Sequence, residues 1–427
     1  MKQILLGSTG VNNLTANNYW SPWGQASVSS SFPERYGAVI PTELTVAVFR
    51  VDLSAAPGVG TSRTFTLKKD QVATAAVVTI SDTATTGTYT GAVVFSASDV
   101  MDLQTTVTGV PAASTANWSI ELSCTDAGLA VGFVHCFGTD WSTYNAPAFN
   151  LMTGPNATEA NVSAKSPLAF TLEKIYVKCH GDPGGAGDGY TFTTRINGSD
   201  VAASAVTFVE PTREGNVTGL TQAVAVGDVL SIRMDVVATP SGNQMGVGYA
   251  YRPNTLGKSI LGIVDVGGSP GNGAVNYASF GASAWATTTA QRHVSGPTRW
   301  RFSDLTVTLT TAPGAGNSWV FDLYVNDAGT ASTVTISETD TTGTDNHKIT
   351  LNEGDTVVLR STPSSTPTAT GNMQVMGVMD TVIGGGGGAG GPGRPRRPPG
   401  GGPPNPPGGG SLSGPVLKKL RFPEKVI

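Results

Sequence analysis

The side chains of this sequence that could do chemistry are few and scattered. Only 4 histidines occur in 427 residues, and two of them adjoin a cysteine, as His135-Cys136 and Cys179-His180. Imidazole and thiolate are ligands that Zn²⁺ prefers, and a thiolate beside a histidine can act as a nucleophile. Adjacent side chains on a strand point to opposite faces, so neither pair can readily chelate one ion. We therefore predict no metal, no cofactor and no catalytic Cys-His site.

Carboxylate pairs are the second kind of chemistry to weigh. Asp345 or Glu353, together with Asp355, could act as acid and base in glycoside cleavage. These residues lie in predicted turns, where Asp and Glu form local hydrogen bonds. The run at 182–189 has the composition of a calcium loop but lacks the carboxylate spacing of an EF-hand. We interpret it as a hairpin turn and predict that the protein is not an enzyme.

The composition favours short strands and many turns. Charged residues make up 13% of the chain, which contains 55 glycines, and we find no convincing long helical pattern. A net charge of −4 offers no strong field for nucleic acid or an anionic membrane. No apolar run reaches the roughly 18 residues of a membrane helix. The run Ile4-Leu5-Leu6 is too short for a signal peptide, so we expect no export by the standard route.

The cysteines are better read as small buried thiols than as a disulfide framework. Three cysteines cannot all pair within one chain, so at least one is free. If 118–124 and 129–136 form a hairpin, the sulfurs of Cys124 and Cys136 lie several residues apart, beyond disulfide reach.

A repeat with one constant offset organises the chain. The motif Ala-Pro-Gly-x-Gly occurs around Pro57 and again around Pro313, and 313 − 57 = 256. The same offset relates Lys2 to Lys258 at the start of each copy. It also relates other pairs: Val78-Thr79-Ile80-Ser81 with Val334-Thr335-Ile336-Ser337, Thr85-Thr86-Gly87-Thr88 with Thr341-Thr342-Gly343-Thr344, and Phe65 with Phe321.

A middle copy lies near half that offset. Pro167, Pro183 and Asp228 precede their counterparts in the last copy by 130, 130 and 127 residues, since 297 − 167 = 130, 313 − 183 = 130 and 355 − 228 = 127. Small loop insertions explain the drift. We therefore predict three modules, at 1–127, 128–255 and 256–383.

Each copy alternates between strand and turn. Apolar residues recur at every second position in Trp319, Phe321, Leu323 and Val325, which predicts one inward strand face. A Gly-Asp turn precedes an apolar strand in the last two copies, whereas the first copy has Ser98-Asp99 there and leaves its turn geometry open. Short strands at this spacing predict an all-β fold of three tandem antiparallel jelly-roll or β-sandwich modules.

This succession of motifs resembles a jelly-roll repeat of bacteriophage structural proteins. It runs from an alternating strand through Ala-Pro-Gly-x-Gly, an aromatic strand, Val-Thr-Ile-Ser and Thr-Thr-Gly-Thr to the Gly-Asp turn. The turn region is also similar to that of tumour-necrosis-factor-like trimeric jelly rolls. The likeness covers most of 1–383, most weakly in the middle copy. It implies a role in virion structure and association in threes, and it brings no catalytic residues.

The chain after residue 383 changes character. Residues 384–410 are rich in Gly and Pro and carry three arginines, a composition that cannot fold alone and serves as a tether. Residues 411–427 regain apolar and basic side chains, and we predict that they form a docking peptide, with an unstructured tail as the alternative. The residues expected to dock are Leu417, Lys418, Lys419, Leu420, Arg421 and Phe422.

These features together predict an external virion appendage: a head fibre, a capsid decoration or a tail-fibre component. Its expected partners are other capsid or tail proteins, with host-surface glycan or receptor as a further candidate. The alternative is a carbohydrate- or receptor-binding adhesin, or a bacterial surface filament subunit. The resemblance favours a homotrimer of chains, whereas three copies in one chain also permit packing around a pseudo-threefold axis.

Overall fold

The structure is a computed structural model, and it shows an almost purely β protein. Short 3₁₀ turns occur at Glu159–Asn161 and Ala202–Ser204, and the all-β fold class predicted from the sequence is confirmed. No helix among the described residues is long and apolar enough to cross a membrane. The described residues are 1–9, 14, 17–23, 37–136, 144–147, 156–241, 245–266, 270, 273–280, 285–287, 294–370 and 373–381.

The first copy folds into two antiparallel sheets that face each other. One sheet has the strand order β1-β9-β4-β7, and the other has the order β2-β8-β5-β6, with β3 also paired to β8. This is a jelly-roll arrangement of nine strands in two sheets, two of them only two or three residues long. The strands are β1 Lys2–Ser8, β2 Asn18–Trp20, β3 Ala38–Val39, β4 Leu44–Leu53, β5 Gly58–Lys69, β6 Val72–Asp82, β7 Thr86–Phe95, β8 Val100–Thr108 and β9 Ala116–Cys124.

The second copy repeats the arrangement. Its sheets have the orders β10-β19-β13-β17 and β11-β18-β14-β15, with β12 paired to β18 and β16 paired to β14. The strands are β10 Ala130–Cys136, β11 Tyr144–Pro147, β12 Ala164–Lys165, β13 Phe170–Cys179, β14 Gly189–Ile196, β15 Ser199–Asp200, β16 Val206–Val209, β17 Glu214–Val224, β18 Val229–Val237 and β19 Met245–Pro253.

The third copy also folds into two antiparallel sheets of this kind. Its sheets have the orders β20-β29-β23-β26 and β21-β28-β24-β25, with β27 paired to β23 and β22 paired to β28. The strands are β20 Lys258–Val266, β21 Asn276–Ala278, β22 Val294–Ser295, β23 Trp300–Leu309, β24 Gly314–Val325, β25 Ala328–Glu338, β26 Thr342–Asp345, β27 Ile349–Leu351, β28 Thr356–Ser364 and β29 Met373–Asp380.

The two sheets of a copy differ in how they are buried. We call the sheet of β1, β9, β4 and β7, with its equivalents, the contact sheet, and the other the outer sheet. On the outer sheet Phe65 is buried while Thr64 and Thr79 face outward and share a hydrogen bond of 3.0 Å. On the contact sheet β1 is buried at nearly every position. Such a continuous pattern means that both faces of the strand are covered.

The second face of each contact sheet packs against a neighbouring copy. Leu5 belongs to the core of its own copy, whereas Ile4 and Leu6 lie in the core of the third copy. In the same way Val131 and Phe133 on β10 contribute to the core of the first copy. On β20 and β29, Ile260, Met376 and Val378 contribute to that of the second.

The three copies therefore close a ring. β3 of the first copy lies against β19 of the second, β12 of the second lies against β23 and β29 of the third, and β22 of the third lies against β9 and β4 of the first. Residues 1–383 form one compact unit. Of the two arrangements open from the sequence, the described chain has the pseudo-threefold one.

The conditional hairpin between residues 118–124 and 129–136 is wrong, although strands occupy both segments. β9 pairs with β1 and β4, and β10 pairs with β19. The turn between them carries the chain from the first copy to the second, with the Gly128 N–H donating to Asp126 Oδ1 at 2.9 Å. Cys124 and Cys179 are unpaired and buried, as interpreted. The Cys136 side chain lies outside the described residues.

The turn before the apolar strand has the same geometry in all three copies. Gly227 and Gly354 have φ of 86° and 81°, and Ser98 has φ of 73°. In each turn the next residue, an Asp, accepts a backbone N–H from three positions earlier: Asp99 at 2.5 Å, Asp228 at 2.7 Å and Asp355 at 2.7 Å. The first copy thus keeps the turn without the glycine.

Replacing Ser98 with Gly should stabilise the protein. A residue with a side chain is destabilised by about 1 kcal/mol relative to glycine in the left-handed region. We therefore expect the free energy of unfolding to rise by about that amount. Urea denaturation of the full chain measures the change. Ser96→Gly in the same turn is the matched control and should lower the midpoint, because Ser96 has no positive φ. A Ser98→Gly protein no more stable than the wild type would contradict the argument.

Candidate functional site

The Cys179-His180 pair lies at the end of β13, where burial disfavours charge on both side chains. Cys179 is 3% exposed at the end of β13, and burial raises its thiol pKa to about 11. Burial also lowers the pKa of His180 to about 3. A neutral thiol beside a neutral imidazole is the opposite of an activated thiolate. The side chains of His135 and Cys136 lie outside the described residues.

The acidic residues singled out from the sequence separate into two environments. Glu353 and Asp355 belong to the turn before β28, where hydrogen bonds from Asn326 and Asn352 hold the pKa of Asp355 below its usual value. Asp345 ends β26, and its Oδ1 lies 2.6 Å from His347 Nδ1. Asp355 therefore stabilises its turn, as expected, and Asp345 makes a local hydrogen bond to His347 at the end of a strand.

The loop at 182–189 is held by its own carboxylates. Asp182 accepts from Gly184 N at 2.9 Å, and Asp188 accepts from Gly185 N at 2.7 Å. The interpretation as a hairpin turn is wrong, because β13 and β14 do not pair and lie in different sheets. The two acids instead stabilise a loop that connects the two sheets of the second copy. Across the described part of the chain no three His, Cys, Asp or Glu side chains are grouped to hold a metal ion.

The predicted docking residues at 417–422 lie outside the described residues, as do Arg394, Arg396 and Arg397. What the structure does locate is the place where the described chain ends. The Thr381 hydroxyl donates to the carbonyl oxygen of Lys2 at 3.0 Å. Thr381, the last described residue, therefore lies beside the first strand of the ring.

One position, equivalent in all three modules, holds two turns together and was not identified from the sequence. Asp70, Asn197 and Asn326 follow β5, β14 and β24, each with positive φ, and each side chain accepts the first N–H of the strand after the Asp turn, at 3.0, 2.9 and 2.9 Å. The signal was available, because 326 − 70 = 256 is the repeat offset. These residues tie the tight hairpin turn to the Asp turn at one end of every module.

Polar contacts reinforce the apolar ones between copies. Gln3 donates to the carbonyl oxygen of Val131 at 2.6 Å and accepts its N–H at 3.0 Å. Lys178 Nζ lies 3.9 Å from Asp70 Oδ1, across the first and second copies. Gln374 donates to the carbonyl oxygen of Asn161 at 3.0 Å, across the second and third. The two hydrogen bonds between the buried Gln3 side chain and the backbone of Val131 fix the register of the contact between the first and second copies.

A cleft opens between the second and third copies. Its volume is about 360 Å³. The second copy supplies two apolar residues from its turns, and the third copy supplies polar residues of β23 and the end of β26. The cleft is lined by Pro167, Val226, Asp304, Thr306, Thr344, Asp345 and Asn346.

The fold and these sites define a class: a ring of three jelly-roll modules made by one chain. Comparison with known proteins adds no narrower assignment. No protein-family model matches the sequence, and no curated protein was found to be similar to it.

Proposed function

We propose that the protein is a non-enzymatic structural component on the outside of a bacteriophage particle. The observation that carries this proposal is the closed ring, in which one chain buries three contact sheets against one another. Jelly rolls associated in threes through such sheets are what the repeat resemblance implies for virion proteins. In such a body the apolar faces of the contact sheets are covered by other copies within the same chain.

The surface of the ring supports an external position. The outer sheets alternate between buried apolar and outward polar positions, with hydroxyl pairs such as Thr64 with Thr79 and Thr191 with Thr207. Uncharged hydroxyl side chains keep the sheet soluble without a strong field. The Gly- and Pro-rich composition of residues 384–410 suits a tether to the particle through residues 417–422.

The homotrimer of chains expected from the resemblance stays a prediction. The three contact sheets that such a trimer would bring together already meet inside one chain. We propose that the single chain is the threefold unit, and a trimer of chains would have to use the outer sheets or the tail.

Proteomics of purified particles tests the proposal. Phage grown on a host and banded by density should contain this chain at a fixed number of copies per particle. Particles assembled with a chain truncated after residue 383 should lack it, although the ring still folds. Absence of the full-length chain from purified particles would overturn the proposal. Incorporation of the truncated chain would move the docking surface to the ring.

A further inference from the structure

The cleft between the second and third copies contains a carboxylate whose hydrogen bonding is incomplete. The Asp345 side chain is 9% exposed. Its Oδ1 faces His347, while its Oδ2 is buried and has no hydrogen-bond partner. A buried acceptor without a hydrogen-bond partner is destabilising, and a ligand that donates a hydrogen bond to it would relieve that cost. A carboxylate turns easily about its terminal torsion, so either oxygen can meet a donor in the cleft.

A second carboxylate lies beside it. Asp304 sits in a β-bulge of β23 with φ of 56°. Ser303 Oγ donates to Asp304 Oδ2 at 2.7 Å, and Lys258 Nζ lies 3.9 Å from the same oxygen. Bulges re-aim side chains and are frequent beside binding sites. The bulge brings Asp304 into the lining with Asp345.

The jelly roll itself does not require an acid at position 345. In the third copy Asp345 pairs with Leu305 across the strands. The same cross-strand position is held by Tyr89 opposite Phe49 in the first copy. It is held by Val217 opposite Ile175 in the second. Apolar or aromatic side chains thus serve the fold at this position, and the buried carboxylate is particular to the third copy.

We propose that this cleft binds a neutral saccharide. The carboxylates of Asp304 and Asp345 can accept hydrogen bonds from sugar hydroxyls, and the amide of Asn346 can both donate and accept them. The hydroxyls of Thr306 and Thr344 can do the same. Val226 and Pro167 offer apolar surface to the C–H face of a ring. The volume of about 360 Å³ lies within the range of small-molecule sites, with room for a short saccharide.

The charge of the lining sets the specificity. The lining contains two carboxylates and no basic side chain. Lys258, outside the lining, offsets the charge of Asp304, and the remaining negative charge of Asp345 repels a sialylated or sulfated glycan. A divalent cation would find only two protein carboxylates, fewer than calcium sites usually provide. The proposal does not rest on the virion assignment, because the cleft lies within one chain and would bind its ligand in any setting.

A glycan array followed by calorimetry on the full-length protein tests the site. Neutral oligosaccharides should be bound and their sialylated or sulfated counterparts should not. Asp345→Ala should weaken the binding at least tenfold. Asp340→Ala, an exposed acid of the same copy outside the lining, should leave it unchanged. The thermal midpoint of Asp345→Ala should not fall, which separates lost ligand contacts from misfolding.

Three outcomes would overturn the proposal. The first is that no neutral saccharide binds, or that acidic glycans bind equally well. The second is that Asp345→Ala binds the neutral saccharide as tightly as the wild type. The third is calorimetric binding of Ca²⁺ alone that Asp345→Ala abolishes, which would make the cleft a cation site.

Discussion

Replacing Leu6 with Asp is expected to open the ring between its first and third copies. Leu6 is 2% exposed and lies in the core of the third copy, so the change removes apolar contacts and buries a charge without a partner. We expect a loss of at least about 4 kcal/mol from the free energy of unfolding. Small-angle scattering should show a larger radius of gyration, and hydrogen exchange should accelerate in β1 and β29.

The control for this variant is Leu256→Asp, which makes the same chemical change at a side chain that is 75% exposed. It should alter stability by less than about 0.5 kcal/mol. Leu5→Asp is a second comparison, because Leu5 faces the core of its own copy and its replacement should unfold the first module outright. An unchanged scattering curve and stability for Leu6→Asp would show that the first and third copies do not depend on this contact.

Replacing Phe321 with Ala is expected to destabilise the third module by about 3–5 kcal/mol. Phe321 is fully buried, and its ring stacks on Trp319 at a centroid distance of 6.3 Å. Hydrogen exchange should quicken first in β24, β25 and β28, because β24 pairs with both of the other two strands.

The matched control is Val320→Ala, one position along the same strand. Val320 is half-buried on the outer face, so its truncation should cost less than about 1 kcal/mol. A greater loss for Val320→Ala than for Phe321→Ala would mean that the inward face of β24 had been assigned to the wrong residues.

Local patterns were enough to predict the strands and their inward faces. Trp319, Phe321 and Leu323 are buried as expected, while Val325 at the strand end is only partly so. The Gly-Asp turns were also recognisable, because the chemistry that forms them lies within four residues. The geometry of the turn at Ser98 could not be predicted, because a non-glycine residue seldom adopts positive φ.

Long-range pairing was beyond the same reasoning. Two strands of suitable length on either side of a turn resemble a hairpin. No local sequence pattern indicates that β10 pairs with β19 instead. The run Ile4-Leu5-Leu6 was considered only as a possible export signal. Its apolar residues are consecutive because both faces of β1 are buried. Asp345 was expected in a turn, whereas it ends β26 and pairs with Leu305 of β23. That pairing joins residues distant in the sequence, which no local pattern encodes.

The central claim is that one chain closes the threefold body, and zero-length crosslinking tests it most directly. Lys178 and Asp70 lie 3.9 Å apart across the first and second copies, and both side chains are partly exposed, so a carbodiimide can join them. Full-length chains labelled with ¹⁴N and ¹⁵N should be mixed unfolded, refolded together and crosslinked. The account predicts that every Lys178–Asp70 product has one isotope composition. Products that combine ¹⁴N and ¹⁵N halves would contradict it, because the contact would then lie between different chains.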